Sequence, residues 1–140
     1  MVEPIRFPFT ELDATMGEFS AFLYLPITLE YQNQALQLSG LLDTGASVNV
    51  LPYEIGRSLG AIWEHQRLII PLGGNLARYE ARAIVVSAKV ADFAAVDLAF
   101  AWTIASDAPL ILGQVNFFQM FNVCFYRADL EFEVSQRSFS

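Results

Sequence analysis

Every second residue from Phe19 to Leu29 is apolar: Phe19, Ala21, Leu23, Leu25, Ile27 and Leu29. A repeat of two puts such side chains on one face of a β-strand. After a turn near Tyr31 to Asn33 the stretch "NQALQLSGLL" continues in extended form. "VNVL" then reads as a short strand, and "PYEIGRSLG" as a short helix, with Pro52 in its first turn and Gly60 as its stop. "HQRLIIPL" and "ARYEARAIVVSAKV" are extended segments on either side of Gly73-Gly74-Asn75, a turn signal. In "VDLAFAWTI", Leu98, Phe100, Trp102 and Ile104 alternate with smaller or polar residues. "APLILG" is a short apolar strand, and "QVNFFQMF" one or two helical turns. "FNVCFY", the turn "RAD" and "LEFEV" form a closing hairpin, with Leu130, Phe132 and Val134 turned inward. Residues 1–17, with Pro4 and Pro8 among scattered acids, read as an irregular N-terminal extension ahead of a domain over residues 18–140. The expected fold is mostly β, a small closed or partly closed barrel with one or two short helices.

Composition changes this picture mainly by exclusion. The 140 residues suit one domain, and 54% hydrophobic against 16% charged residues are enough for a sizeable core. The net charge is −7 and there is no run of Lys or Arg, so no nucleic-acid partner is expected. The first 17 residues hold no apolar core of signal-peptide length, and no stretch reaches the roughly 18 apolar residues of a membrane span. The expectation is a cytoplasmic protein with no membrane partner. The single cysteine, Cys124, cannot form an intrachain disulfide and reads as a small buried hydrophobe.

Candidate chemistry concentrates in "LLDTGASVNVLP", residues 41–52. Asp43 and a run of small residues stand between two segments that read as buried strands. Asp-Thr-Gly is also ordinary turn chemistry, with Asp capping and Gly at positive φ. Surface turns, however, have polar flanks. Here Leu41, Leu42, Val48, Val50 and Leu51 surround the carboxylate, where an unpaired charge is costly. A shared proton resolves the difficulty. Two carboxylates about 3 Å apart cannot both ionise, and such a pair holds a water, acts as its general base and supplies a general acid.

"LLDTGAS" resembles the active-site loop of aspartic peptidases. "LILGQVNFF", residues 110–118, is similar to the later element of the retropepsin-like family, Ile111-Leu112-Gly113 here, which packs behind that loop. Gly73-Gly74, about 30 residues past Asp43, resembles in placement the tip of the flap hairpin that closes over substrate. The likeness spans about residues 18–134 and is to the single-domain group, which includes retroviral proteases and the DNA-damage-inducible protein family. It implies a retropepsin-like acid protease barrel and aspartic endopeptidase activity on extended peptide or protein segments with apolar flanks. Asp43 would be catalytic, and Thr44, Gly45 and Ala46 would complete the active-site loop. Leu72, Gly73, Gly74 and Asn75 would form the substrate-binding flap, and Ile111, Leu112 and Gly113 the structural support. The resemblance implies no cofactor and no metal. It also implies a homodimer, since the other aspartates, Asp13, Asp92, Asp97, Asp107 and Asp129, lie in no second loop of small residues.

Other chemistries find less support. His65 is the only histidine and reads as a surface residue. Zinc would need carboxylates at unsupported spacing, and no pattern places Ser47 or Cys124 beside a base. Phe117, Phe118 and Phe121 read as core, and Glu11, Asp13 and Glu18 as a solvated acidic segment. No phosphate-binding glycine pattern is present. Two functions remain: an active endopeptidase, or a non-catalytic module of the same fold used for dimerisation or peptide binding.

Overall fold

The structure is a computed structural model that describes residues 2–17 and 21–137. Phe19 and Glu18 lie outside the described residues. Eleven strands and two short helices are described: β1 Ile5–Pro8, β2 Thr10–Glu11, β3 Ala21–Phe22, β4 Tyr24–Tyr31, β5 Gln34–Leu42, β6 Asn49–Pro52, α1 Tyr53–Ser58, β7 Ala81–Lys89, β8 Val96–Thr103, β9 Ile111–Leu112, α2 Phe117–Met120, β10 Phe121–Tyr126 and β11 Glu131–Gln136. Six of the strands close a barrel in the order β4-β5-β9-β6-β8-β7, with β7 pairing back onto β4.

The alternation along β4 has the consequence expected of it. Leu25, Ile27 and Leu29 are buried, and the residues between them are exposed or half-buried. With Leu98, Phe100 and Trp102 of β8 and Ile84 and Val86 of β7 they form the main core. Ile104 lies past the end of β8 and is 47% exposed, so the inward set stops at Trp102. Helix α1 packs its Gly56 against the Trp102 ring, where a Cβ would overlap the indole. Trp102 stacks on Tyr53 at 5.7 Å between ring centroids, and its Nε1 donates to the Tyr53 carbonyl at 3.1 Å. Gly60 ends the helix turn at φ +87°, a conformation that favours glycine.

The N-terminal segment departs from expectation. Ile5–Pro8 is a strand, paired antiparallel with β11 in a three-stranded sheet of order β1-β11-β10. Ile5, Phe7 and Phe9 alternate and pack against the core, and Phe7 stacks on Phe132 at 5.4 Å. Arg6, on the opposite face, pairs with Glu131 and Glu133 at 3.2 and 3.8 Å. Pro8 is compatible with this strand because β1 is at the sheet edge, where a missing N–H costs no ladder bond. The closing hairpin forms as expected with Phe132 and Val134 buried, but Leu130 sits in the turn at φ +53°. Cys124 is exposed and not buried: it pairs with Glu133 on the outward face of the hairpin.

Candidate active site

Strand β5 carries the chain to Asp43 and β6 carries it away from Asn49, so residues 43–48 form a loop between two barrel strands. The loop is folded on itself by an Asx turn. The Asp43 Oδ1 accepts from the Gly45 N–H at 2.9 Å, and the Asp43 carbonyl accepts from the Ala46 N–H at 3.1 Å. Leu42, Val50 and Leu51 are buried, whereas Asp43 is half-buried and opens onto a cavity. Gly45 lies outside the positive-φ set. Its small size matters instead, since a Cβ there would come 3.3 Å from the Asp43 Oδ1.

Ile111, Leu112 and Gly113 lie directly behind this loop. β9 runs parallel to β5, with Leu41 opposite Ile111 and Leu42 opposite Leu112, and also contacts β6 at Val50. The Asp43 N–H donates to the Leu112 carbonyl at 3.0 Å. Farther along, the Gln114 N–H donates to the Ala46 carbonyl and the Val115 N–H to the Ser47 carbonyl, each at 2.9 Å. Gly113 passes so close that a Cβ would overlap the Val48 carbonyl oxygen and lie 2.8 Å from that of Ala46.

Two residues not singled out in the sequence complete the clasp. Asn49 is fully buried, and its Oδ1 accepts from the Gly113 N–H at 2.8 Å and the Phe117 N–H at 3.4 Å. Its Nδ2 donates to the Ala99 carbonyl and to Asn116 Oδ1, at 2.9 and 3.1 Å. One amide thus joins the loop exit, the Gly113 turn, α2 and β8. The signal was available: an amide between Val48 and Val50 in an apolar run requires internal partners. The second is Gln114, whose Nε2 donates to the Thr44 carbonyl at 2.7 Å. No periodicity marks it.

Asp43, Gly45 and Ala46 line a cavity of about 930 Å³ together with Leu72, Gly73, Gly74 and Asn75. Thr44 faces away, into a smaller depression of about 300 Å³ with Gln114, Phe118 and β10 residues. The segment bearing Gly73-Gly74 is a loop closed at its base and tipped by a 3₁₀ turn. Its base is strand-like: the Ile70 N–H donates to the Ala81 carbonyl at 2.9 Å and the Ala83 N–H to the Leu68 carbonyl at 2.8 Å. Beyond Ile70 the chain leaves β7. The tip is a 3₁₀ turn over Gly74–Leu76, with Gly74 at φ +59° and Gly73 at φ −102°. Below it, Val50, Ala105 and Ala108 are buried in a second apolar cluster, flanked by Val48, Leu72, Leu76, Tyr79 and Ile111. The cavity thus has the Asp43 carboxylate on one wall, with apolar side chains and the charged Arg78 and Asp107 among its other lining residues. Among the described residues, no three His, Cys, Asp or Glu side chains gather closely enough to hold a metal ion.

No protein-family model matches this sequence, and no curated protein matches it. Solved structures do. A retropepsin-like aspartic protease from Rickettsia conorii superposes with a TM-score of 0.62 at 14% identity, over 96% of this chain and 100% of that one. EIAV protease in complex with the inhibitor HBY-793 superposes with a TM-score of 0.51 at 19% identity, over 70% of this chain and 86% of that one. The fold is therefore that of the retropepsin-like acid proteases, and the barrel expected from the strand pattern is the one observed.

Proposed function

We propose that this protein is an aspartic endopeptidase that acts as a homodimer, with Asp43 of each chain forming the catalytic pair. The observation that carries the reading is the Asp43 loop, rigidly clasped at its back and open at its front to a cavity of peptide-binding size. One carboxylate of the pair would take a proton from water while the other, protonated, donates to the carbonyl oxygen of the scissile bond. Leu72, Gly73, Gly74 and Asn75 would act as the flap over the bound segment.

Each chain has one Asp-Thr-Gly, so the second carboxylate must come from a second copy. The outer edge of β10 offers a seam. The Arg137 N–H donates to the Met120 carbonyl at 3.0 Å, which fixes the alternation along the strand and turns the backbone groups of Val123 and Phe125 away from β11. No described strand pairs with that edge, and the Phe125 side chain beside it is 47% exposed. A two-fold axis near Val123 would pair the β10 strands and bring each Phe125 toward the partner's depression beside Thr44. Both site loops would then adjoin the interface.

The test is hydrolysis of a broad peptide library by the parent protein and by Asp43→Asn. The reading expects cleavage by the parent, and loss of it in a variant that remains folded and dimeric. Cleavage by Asp43→Asn at more than a trace of the parent rate would remove Asp43 from the chemistry. No cleavage by a demonstrably dimeric parent would favour the binding module.

A further inference from the structure

We infer that Arg78 gives the cleft a preference for peptides bearing an acidic side chain near the bond that is cut. The inference rests on the endopeptidase reading above. The cavity wall is mostly apolar or backbone, with Val48, Val50, Leu72, Leu76 and Ile111 among its lining residues. Besides Asp43, two charged residues line it, Arg78 and Asp107.

The arginines of this protein differ in how their donors are used. Arg82, on β7, is spent on structure: its Nε pairs with Glu80 at 2.8 Å, its Nη1 donates to the Trp63 and Gln66 carbonyls, and its guanidinium lies 4.4 Å from the Trp63 ring centroid. Arg6 and Arg57 also have carboxylate partners. Arg78 has none. Its Nη2 donates to the Tyr79 hydroxyl at 3.2 Å, and its guanidinium stands 5.1 Å from the Tyr79 ring centroid. Tyr79 is itself packed against the apolar cluster of the cleft, so the phenol ties the cation to the wall. Among the described residues no carboxylate, Asp107 included, lies within ion-pair distance of Arg78.

The result is an exposed guanidinium at a peptide-sized cavity with most of its five donors unspent. A carboxylate matches that planar fork better than any neutral side chain does. The chain as a whole is acidic, at −7, so an acidic peptide gains nothing from the overall field. The preference is therefore local, and it belongs to the subsite that Arg78 faces.

Matched peptides test it. They share one apolar-flanked core, and a single residue, placed in turn at each position within four residues of the cut, is Glu, Gln or Lys. At one position the parent should favour Glu over Gln in kcat/KM by about three- to five-fold, the size of an exposed charge pair. Arg78→Gln should bring that ratio to one, and Arg78→Glu should turn the preference to Lys. The same peptides titrated against the Asp43→Asn protein by fluorescence anisotropy should show the same ordering in Kd without hydrolysis. A parent that cuts, or a variant that binds, with no Glu preference at any position would overturn the inference, as would a ratio that survives Arg78→Gln. Absence of binding by both Glu and Gln peptides would also overturn it. Absence of cleavage alongside Arg78-dependent binding would count against the endopeptidase reading and leave the Arg78 preference standing.

Discussion

The two walls of the cleft are held in different ways. The Asp43 loop is tied to distant parts of the chain: to Leu112 through the Asp43 N–H, to Gln114 and Val115 through the carbonyls of Ala46 and Ser47, and to Ala99, Gly113 and Asn116 through Asn49. Between Leu72 and Tyr79 the facing segment's backbone bonds are local: Leu76 to Gly73, Ala77 to Gly74 and Tyr79 to Leu76. Long-range bonds fix a wall relative to the barrel. Local turns keep a segment's shape without tying its backbone to the barrel, as the flap proposed above would require. Reactive groups require the first kind of support, and substrate entry requires the second.

Substitutions can break this contrast from either side. Gly113→Ala should have the largest effect, because its Cβ would strike the carbonyls of Val48 and Ala46 and neither backbone segment can yield. We expect a loss of about 3 kcal/mol or more in chemical unfolding, with loss of activity. Asn49→Ala should follow, at about 2–3 kcal/mol, since it leaves the Gly113 and Phe117 N–H groups without acceptors and opens a small void. A change below about 0.5 kcal/mol in either variant would mean that the clasp is not rigid.

On the other wall, Gly74→Val should act on turnover more than on stability. No heavy atom lies within 4 Å of its Cβ position, so the penalty comes from φ +59° alone, about 1–2 kcal/mol confined to the tip. The expected signature is reduced kcat/KM at a nearly unchanged Tm, and equal losses in both would contradict independent mobility. Gly73→Ala is the matched control. Its φ of −102° and open surroundings predict little change in either quantity. Gln114→Ala should give the smallest loss on the rigid side, about 1 kcal/mol or less, because the Thr44 carbonyl it leaves is exposed to water.

The same contrast governs what was legible in the sequence. Barrel strands with one buried face show period two, so β4, β5, β7 and β8 stand out, and the small residues after Leu41-Leu42 mark the loop. The Ile111-Leu112-Gly113 element was visible because it is both apolar and glycine-terminated. β1 was obscured by Pro4 and Pro8, although Ile5, Phe7 and Phe9 alternate, because proline speaks against a strand unless its edge position is known. The 3₁₀ turn at Gly74–Leu76 was hidden for a related reason: Gly-Gly marks a turn but not its type. Gln114 left no local trace, since its role depends on a contact 70 residues away in sequence. Cys124 was misplaced because its face is decided by pairing with Glu133 rather than by its own hydrophobicity.

The central claim is that two Asp43 carboxylates from two chains make one site, and mixing tests it most directly. A fixed amount of the parent is allowed to exchange subunits with increasing amounts of Asp43→Asn, and peptide hydrolysis is followed. Random pairing predicts that at ninefold excess of the variant the activity per parent chain falls to about one-tenth, because most parent chains then sit in dimers with a single carboxylate. Activity that stays constant across the titration, from a sample that remains monomeric by sedimentation, would contradict the shared site.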